Sequence, residues 1–460
     1  MDPVDAVRHD ASSLYKFIDS VILPCALKTH FSYTSPSLEF FEFISKLGLA
    51  TMRHVADLSR ELDSSLFAAN PVDFKLRAQE LATLRYSWFD LHEYVKPAAD
   101  AHTLESPVAL VSAMTARLRN LAGFESARFA IVHTSDLNYF QLQSNYVRQL
   151  ALKISMIVAG APAFPVDLAI VGLPYSQSRA IFLNTLLAHE MGHFSFQKKD
   201  ERRRFSGPLA TIFGKYPVTG FSNPDVARCL GLVLRWLEEV YCDLFALRLA
   251  GPAFAYAFIE LFALTRSRPS VEFSASHPAD ALRLREQTRL LQTSSDPWWP
   301  SMQITPNHYT DLLSETLTRG DSEFSYKNAA GGDVEQVALA CFFEMLDEPR
   351  RALQDIFGEF DPEVRPFSDQ CKAVMDYLSF GVVPSRLIID EAAITPSETT
   401  LLNAAYGFYL NDMNSLLDRL SKVDRDCIQC RAYWAERIEM LIAKALEDVT
   451  TDGYTLKIPY

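Results

Sequence analysis

From residue 223 to residue 251 the chain reads NPDVARCLGLVLRWLEEVYCDLFALRLAG, and the helix in it is punctuated at both ends. Asn223 is the N-cap, Pro224 takes the first helical position, where its missing N–H is not needed, and Asp225 faces the positive pole of the dipole. Gly251-Pro252 stops it. Between these marks the residues are apolar almost all round, which predicts a buried helix with the rest of its domain built about it. Glu238, Glu239 and Asp243 sit in the middle of that apolar surface. Carboxylates in such surroundings are costly unless a metal or a cationic partner compensates them.

A partner is written upstream, in Leu187-Ala188-His189-Glu190-Met191-Gly192-His193-Phe194, inside a helix expected from a cap at Ser176 to about Gln197. Residues four apart share a helix face, so His189 and His193 can bind one Zn²⁺ at about 2.0–2.1 Å each. Glu190 projects beside the metal and is the candidate general base. It would take a proton from the zinc-bound water and pass it to the leaving group. Gly192 leaves room on this face for a close neighbour. In a chain of this composition H-E-x-x-H arises by chance on the order of once in a hundred, so the acidic helix matters to the argument. A hydrolytic zinc needs a third protein ligand and an open position. Glu239 can supply the ligand, and Asp243, one turn on, can accept the free ring N–H of a liganding His. Glu238 competes for the ligand role, but four residues beyond it stands Cys242 rather than a carboxylate. The alternative is that the three acids line a polar face and pair with Arg235 and Arg248.

A third element is Ser274-Ala275-Ser276-His277-Pro278-Ala279-Asp280-Ala281-Leu282-Arg283. His277 ends a loop, Pro278 opens a helix, and Arg283 lies about a turn and a half inside it. A His or Arg near a hydrolytic zinc can stabilise a developing oxyanion, although a His-Pro helix start alone is commonplace.

Together, H-E-x-x-H, E-x-x-x-D on a second helix and H-P-x4-R resemble the pattern of the HtpX-type and CAAX-prenyl-type zinc endopeptidases of the gluzincin clan, over about residues 164 to 290. The resemblance implies one Zn²⁺ per chain on His189, His193 and Glu239, with Glu190 as base and Asp243 behind a ligand. It also implies His277 and Arg283 as substrate or transition-state contacts, and an edge strand, matched by Val166 to Gly172, that aligns extended peptide. Members of both groups are integral membrane proteins, whereas this chain has no run approaching the roughly 20 apolar residues of a span. No G-x-M-E-N segment precedes the motif, which disfavours aminopeptidases of that kind.

The fold expected is mainly α with a small β-sheet (α+β): a gluzincin-like metallopeptidase core at residues 126–295 between helical regions at 1–125 and 333–460, with an irregular connection at 296–332. Helical periodicity marks Leu38 to Leu66, Phe74 to Tyr94, Asn145 to Val158, Val334 to Phe357 and Thr399 to Leu446. Breaks are expected at Pro36, Asn70-Pro71 and Pro97, and strands at Arg128–His133 and Val166–Gly172.

A net charge of −13, from 57 acidic against 44 basic residues, argues against nucleic acid or anionic lipid as partner. The basic cluster from Lys198 to Arg204 reads as a solvated helix end. An odd seven cysteines and the lack of a secretory leader suit reduced thiols in a cytoplasm. Cys427-x-x-Cys430 lacks a second pair and reads as ordinary helix cysteines, Cys242 as a packing residue, and Trp298-Trp299 as a loop anchored in the core. His92-Glu93 is followed by Lys96, not His, so it is no second zinc helix.

The function expected is a cytoplasmic zinc-dependent metallopeptidase, an endopeptidase acting on a peptide or protein substrate. Helical lobes that gate the cleft would suit a regulated protease with a regulatory protein partner, for example in stress response, defence or a toxin system. The alternatives are a helical interaction or sensor protein with a vestigial or structural zinc site, and a zinc hydrolase of non-peptide amides or esters.

Overall fold

The computed structural model describes residues 3–27, 37–62, 71–101, 105–134, 141–142, 144–174, 180–216, 220–265, 269–293, 308–326, 333–358, 364–413, 416–417 and 431–455. The fold is mainly helical with three small sheets among these residues, and none of the described helices is long and apolar enough to cross a membrane. The chain divides into two compact units, Met1–Thr115 with Ser126–Arg179, and Ala116–Glu125 with Ala180–Tyr460.

The first unit runs through α1 (Pro3–Phe17), α2 (Leu23–Leu27), α3 (Leu38–Leu62), α4 (Pro71–Ala101) and α5 (Glu105–Arg119) up to Thr115. Phe40, Ile44, Leu47, Val55 and Leu58 recur at helical spacing on α3 and are buried with Trp88 and Leu91 of α4. The Trp88 indole N–H donates to Thr51 Oγ1 at 3.3 Å, so the largest side chain of this core leaves no orphaned donor. Asn70-Pro71 gives the start of α4 as expected. Pro97, expected to break it, lies inside the helix, which continues to Ala101. Near a helix end the missing N–H forfeits one bond without stopping the chain.

The sheet of this unit has the order β1-β3-β2, from β1 (Arg128–Thr134), β2 (Gln141–Leu142) and β3 (Leu168–Pro174), with α6 (Ser144–Ile157) in the connection that returns the chain parallel to β1. β3 starts two residues later than expected, since Val166 is exposed. It is a central strand rather than the expected edge. β1 pairs with its whole length in parallel, and β2 pairs antiparallel with Val171 and Gly172.

The second unit opens with α7 (Ile181–Asn184) and α8 (Leu187–Lys198), two pieces where one helix was expected; its expected cap, Ser176, lies outside the described residues. Asp200 then adopts a left-handed backbone at φ 52°, and α9 (Glu201–Phe213) begins. The basic cluster therefore spans a corner between two helices, and Arg204 pairs with Asp355 at 2.7 Å. α10 (Asn223–Ala250) is the buried helix that the sequence predicts, with its cap one residue earlier. Ser222 is extended and exchanges hydrogen bonds with Asp225, a reciprocal pair for which Ser has the right hydroxyl; Asn223 is already helical. Gly251 ends α10 at φ 77°. A Cβ there would run into the Asn403 amide, which donates to Ala250 O and accepts from Ala253 N. Asn403 thereby joins α10 to α11 (Pro252–Thr265).

Beyond lie β4 (Glu272–Phe273), α12 (Asp280–Thr293), α13 (His308–Leu317) and β5 (Ser325–Tyr326), which pairs in parallel with β4. The helix expected from Val334 to Phe357 is broken in two, α14 (Asp333–Met345) and α15 (Glu348–Phe357), with Pro349 in the first turn of the second. α16 (Val364–Ser379) and a hairpin of β6 (Leu387–Ile389) with β7 (Ala392–Ile394) were not expected. α17 (Glu398–Gly407) passes into a π-helical turn, Phe408–Asp412, and α18 (Arg431–Thr455) follows. Trp298-Trp299 and Cys427-x-x-Cys430 lie outside the described residues.

Candidate metal centre

α8 lies against α10 because Gly192 lets it. A Cβ on Gly192 would stand 2.7 Å from Cys242 Cα, so only hydrogen fits between the two backbones. One turn along, Ser195 Oγ and Tyr241 OH share a hydrogen bond of 2.8 Å, and Phe196 packs edge-on to Tyr241. This approach brings the imidazoles of α8 onto the acidic stretch of α10.

Each imidazole has its Nδ1 taken. His189 Nδ1 lies 2.9 Å from Asp243 Oδ1, and His193 Nδ1 lies 3.0 Å from Glu238 Oε1. Their Nε2 atoms both face Glu239, at 3.4 Å from Oε2 and 3.6 Å from Oε1. Donors at about 2.0–2.1 Å around a tetrahedral ion are roughly 3.3–3.4 Å apart, close to these spacings. Glu239 is buried, and its Oε2 has no hydrogen-bond partner. His189 Nε2 and Arg283 Nη2 stand 3.4 and 3.5 Å from that oxygen, near enough to compensate its charge but outside good hydrogen-bond geometry. Two imidazoles and a carboxylate are donors of the kinds that zinc takes, although the two spacings are to different carboxylate oxygens.

A different grouping passes through Cys242, whose sulfur lies with ligand nitrogens of His189 and His193 inside a 4.8 Å span. Burial pushes this thiol well above its ordinary value, with the carboxylates of Glu239 and Glu238 adding to the effect. A thiolate is the liganding form, and a bound metal would itself favour it, whereas the Glu239 carboxylate is ionised without one.

Electrostatics keep the carboxylates charged. Burial would raise the Glu239 carboxyl, but His189 and Arg283 outweigh it and hold the group well below the usual range. Asp243 is likewise held down against burial by the Arg283 guanidinium and by His189. Burial would depress His189, yet Asp243 and Glu239 raise it to about 10, so without a metal this imidazole carries the compensating positive charge. His193 is raised too, by Glu238.

α12 brings in Arg283, which is buried. Its Nε and Nη2 donate to the two Asp243 oxygens at 2.6 and 2.7 Å, and Nη2 stands 3.5 Å from Glu239 Oε2. The guanidinium also lies over the Phe258 ring at 4.6 Å. Arg283 thus fastens the acid that orients His189, and its donors face inward. His277 reaches the same carboxylate from the loop before α12, with Nε2 3.8 Å from Glu239 Oε2, and it is exposed. That loop is fixed to α10 by Trp236, whose indole N–H donates to Ser274 O at 2.9 Å. Glu190 is buried on α8, and its charge acts on His193.

His189, His193, Glu239, Asp243, His277 and Arg283 therefore meet at one place, and Glu190 is buried on α8 between the two histidines in sequence. Sequence reasoning missed the part of Glu238, which it weighed as a rival ligand or as one acid of a polar face paired with arginines. The signal available was its position directly before Glu239, which turns it toward the other imidazole. No protein-family model, no curated protein and no solved structure matches this chain.

Proposed function

We propose that the chain is a zinc-dependent metallopeptidase of gluzincin type, an endopeptidase with one zinc per chain on His189, His193 and Glu239. The observation that carries this reading is the buried Glu239 carboxylate faced by two imidazole Nε2 atoms, with a spare carboxylate, Glu190, beside the first of them in sequence. Bound zinc supplies a Lewis acid that polarises a carbonyl and makes water acidic at neutral pH. Glu190 is the base: its carboxylate takes the proton of the attacking water and returns it to the leaving amine nitrogen. Asp243 and Glu238 hold the two rings with Nε2 outward, and Arg283 holds Asp243 and Glu239. His277, the exposed imidazole of the centre, is the side chain offered to the substrate carbonyl. Attack on esters or non-peptide amides would use the same groups.

The test is Glu190→Gln assayed on a peptide library. Zinc content and thermal stability are expected to hold while hydrolysis falls by about 10²–10⁴-fold. Undiminished hydrolysis in that variant would remove Glu190 from the chemistry.

The Cys242 sulfur favours a second reading, a structural or sensing centre with a His-His-Cys set in a helical interaction protein. Cys242→Ser separates the two. Full zinc retention is expected from Glu239 ligation, and loss of the ion would favour the thiolate.

A further inference from the structure

Three imidazoles, not two, turn Nε2 toward the Glu239 carboxylate, at 3.4 Å for His189, 3.6 Å for His193 and 3.8 Å for His277. All three have Nδ1 engaged by an oxygen: Asp243 for His189, Glu238 for His193, and Ser276 Oγ, at 2.8 Å, for His277. An imidazole whose Nδ1–H donates to an oxygen partner presents Nε2 as a metal donor, and the Ser276 hydroxyl, like the two carboxylates, can accept from Nδ1.

We propose that His277 is a fourth, displaceable ligand of the metal held by His189, His193 and Glu239, so that the resting centre is closed and substrate must release His277 to open it. The inference rests on the zinc reading of the site. A centre with four protein ligands leaves no tetrahedral position for substrate or water, which is the arrangement of a structural site, whereas hydrolysis needs one open.

The three rings differ in how firmly they are held. His189 and His193 are gripped by carboxylates on α10, and their side chains are 13% and 18% exposed. His277 is 54% exposed, its partner is a neighbouring hydroxyl, and its distance to Glu239 is the longest of the three. Its backbone, by contrast, is fixed. Ser274 N donates to His277 O, and His277 N donates to Ser274 Oγ, each at 2.9 Å, while Trp236 holds Ser274 O. Release is therefore a rotation of one exposed side chain on a fixed loop, without movement of α10 or α12.

The test compares zinc affinity, by competition with a chromophoric chelator, in the full-length wild type, His277→Ala and His277→Gln, together with the visible absorption of each protein loaded with Co²⁺. Loss of a ligand is expected to weaken zinc at least tenfold in both variants and to alter the Co²⁺ bands, whose intensity and position follow coordination. Wild-type affinity and an unchanged Co²⁺ spectrum in both variants would overturn the proposal while leaving the three-ligand site standing. A wild type that takes up neither Zn²⁺ nor Co²⁺ would overturn both. Because His277 is exposed, both variants are expected to melt with the wild type when all three are free of metal.

Discussion

Which nitrogen a histidine offers to a metal depends on what holds the other one, and at this centre acids of α10 hold Nδ1 of both α8 imidazoles. Asp243→Asn and Glu238→Gln should each weaken zinc by about 10–100-fold without removing a ligand. Asp243→Asn is expected to be the more disruptive, because it also strips the buried Arg283 of its charged partner. Zinc titration of the two variants tests this, and equal affinity to wild type in both would mean that neither carboxylate orients a ligand. Gly192 acts by steric means. Gly192→Ala would force α8 from α10 at the ligand positions, so the melting temperature should fall, with a cost of about 1–3 kcal/mol. The glycine inside H-E-x-x-H was legible as a close-approach residue, but its neighbour was not, since nothing in the sequence sets the register of two helices.

At the scale of elements, legibility followed how much of each decision is local. α10 was readable almost whole, because an all-round apolar surface and terminal punctuation are properties of the segment itself. The cap moved by one residue because Ser and Asn both suit the position, and the reciprocal pair with Asp225 decided it. β3 was legible as a strand but not as a central one, since its neighbours are set by tertiary pairing. α16 carries a clear amphipathic pattern that sequence reasoning did not use, whereas β6 and β7, three residues each, are too short to show a period. α7, which leads into α8, is tied to α18 by a contact no motif could reveal: Ile181 N donates to Glu439 Oε2 at 2.7 Å. Burial pushes Glu439 up to about 7, partly opposed by that N–H and reinforced by Glu260 and Glu436. Below the ordinary value of 4.5 the group is neutral in folded and unfolded chains alike; above it the unfolded chain ionises first, so stability is lost as pH rises through 7. Glu439→Gln should therefore gain thermal stability relative to wild type between pH 4.5 and 8, by on the order of 2 kcal/mol. Melting curves that stay parallel across that range would rule the ionisation out as a source of strain.

For the molecule as a whole, the residues that meet at the centre all belong to the second compact unit. An acidic stretch inside an apolar helix is tolerated in the folded chain only with compensating charge, which Arg283 and a protonated His189 supply without metal. A metal bound only by the folded chain should stabilise this unit, by about 2.7 kcal/mol when free zinc is a hundredfold above its Kd. Chelation should accordingly lower its thermal transition, and added zinc should restore it. The candidate ligands could be named because H-E-x-x-H and E-x-x-x-D set their spacing on two helices. The roles of Glu238 and Cys242, and the inward turn of Arg283, required the packing of three helices that the sequence does not order. The most direct measurement is the metal content of unchelated wild type and Glu239→Ala by elemental analysis. About one zinc per chain in the wild type and loss of it in the variant is the expected result. A wild type without zinc even after supplementation, or a variant that keeps its full complement, would contradict the three-ligand centre.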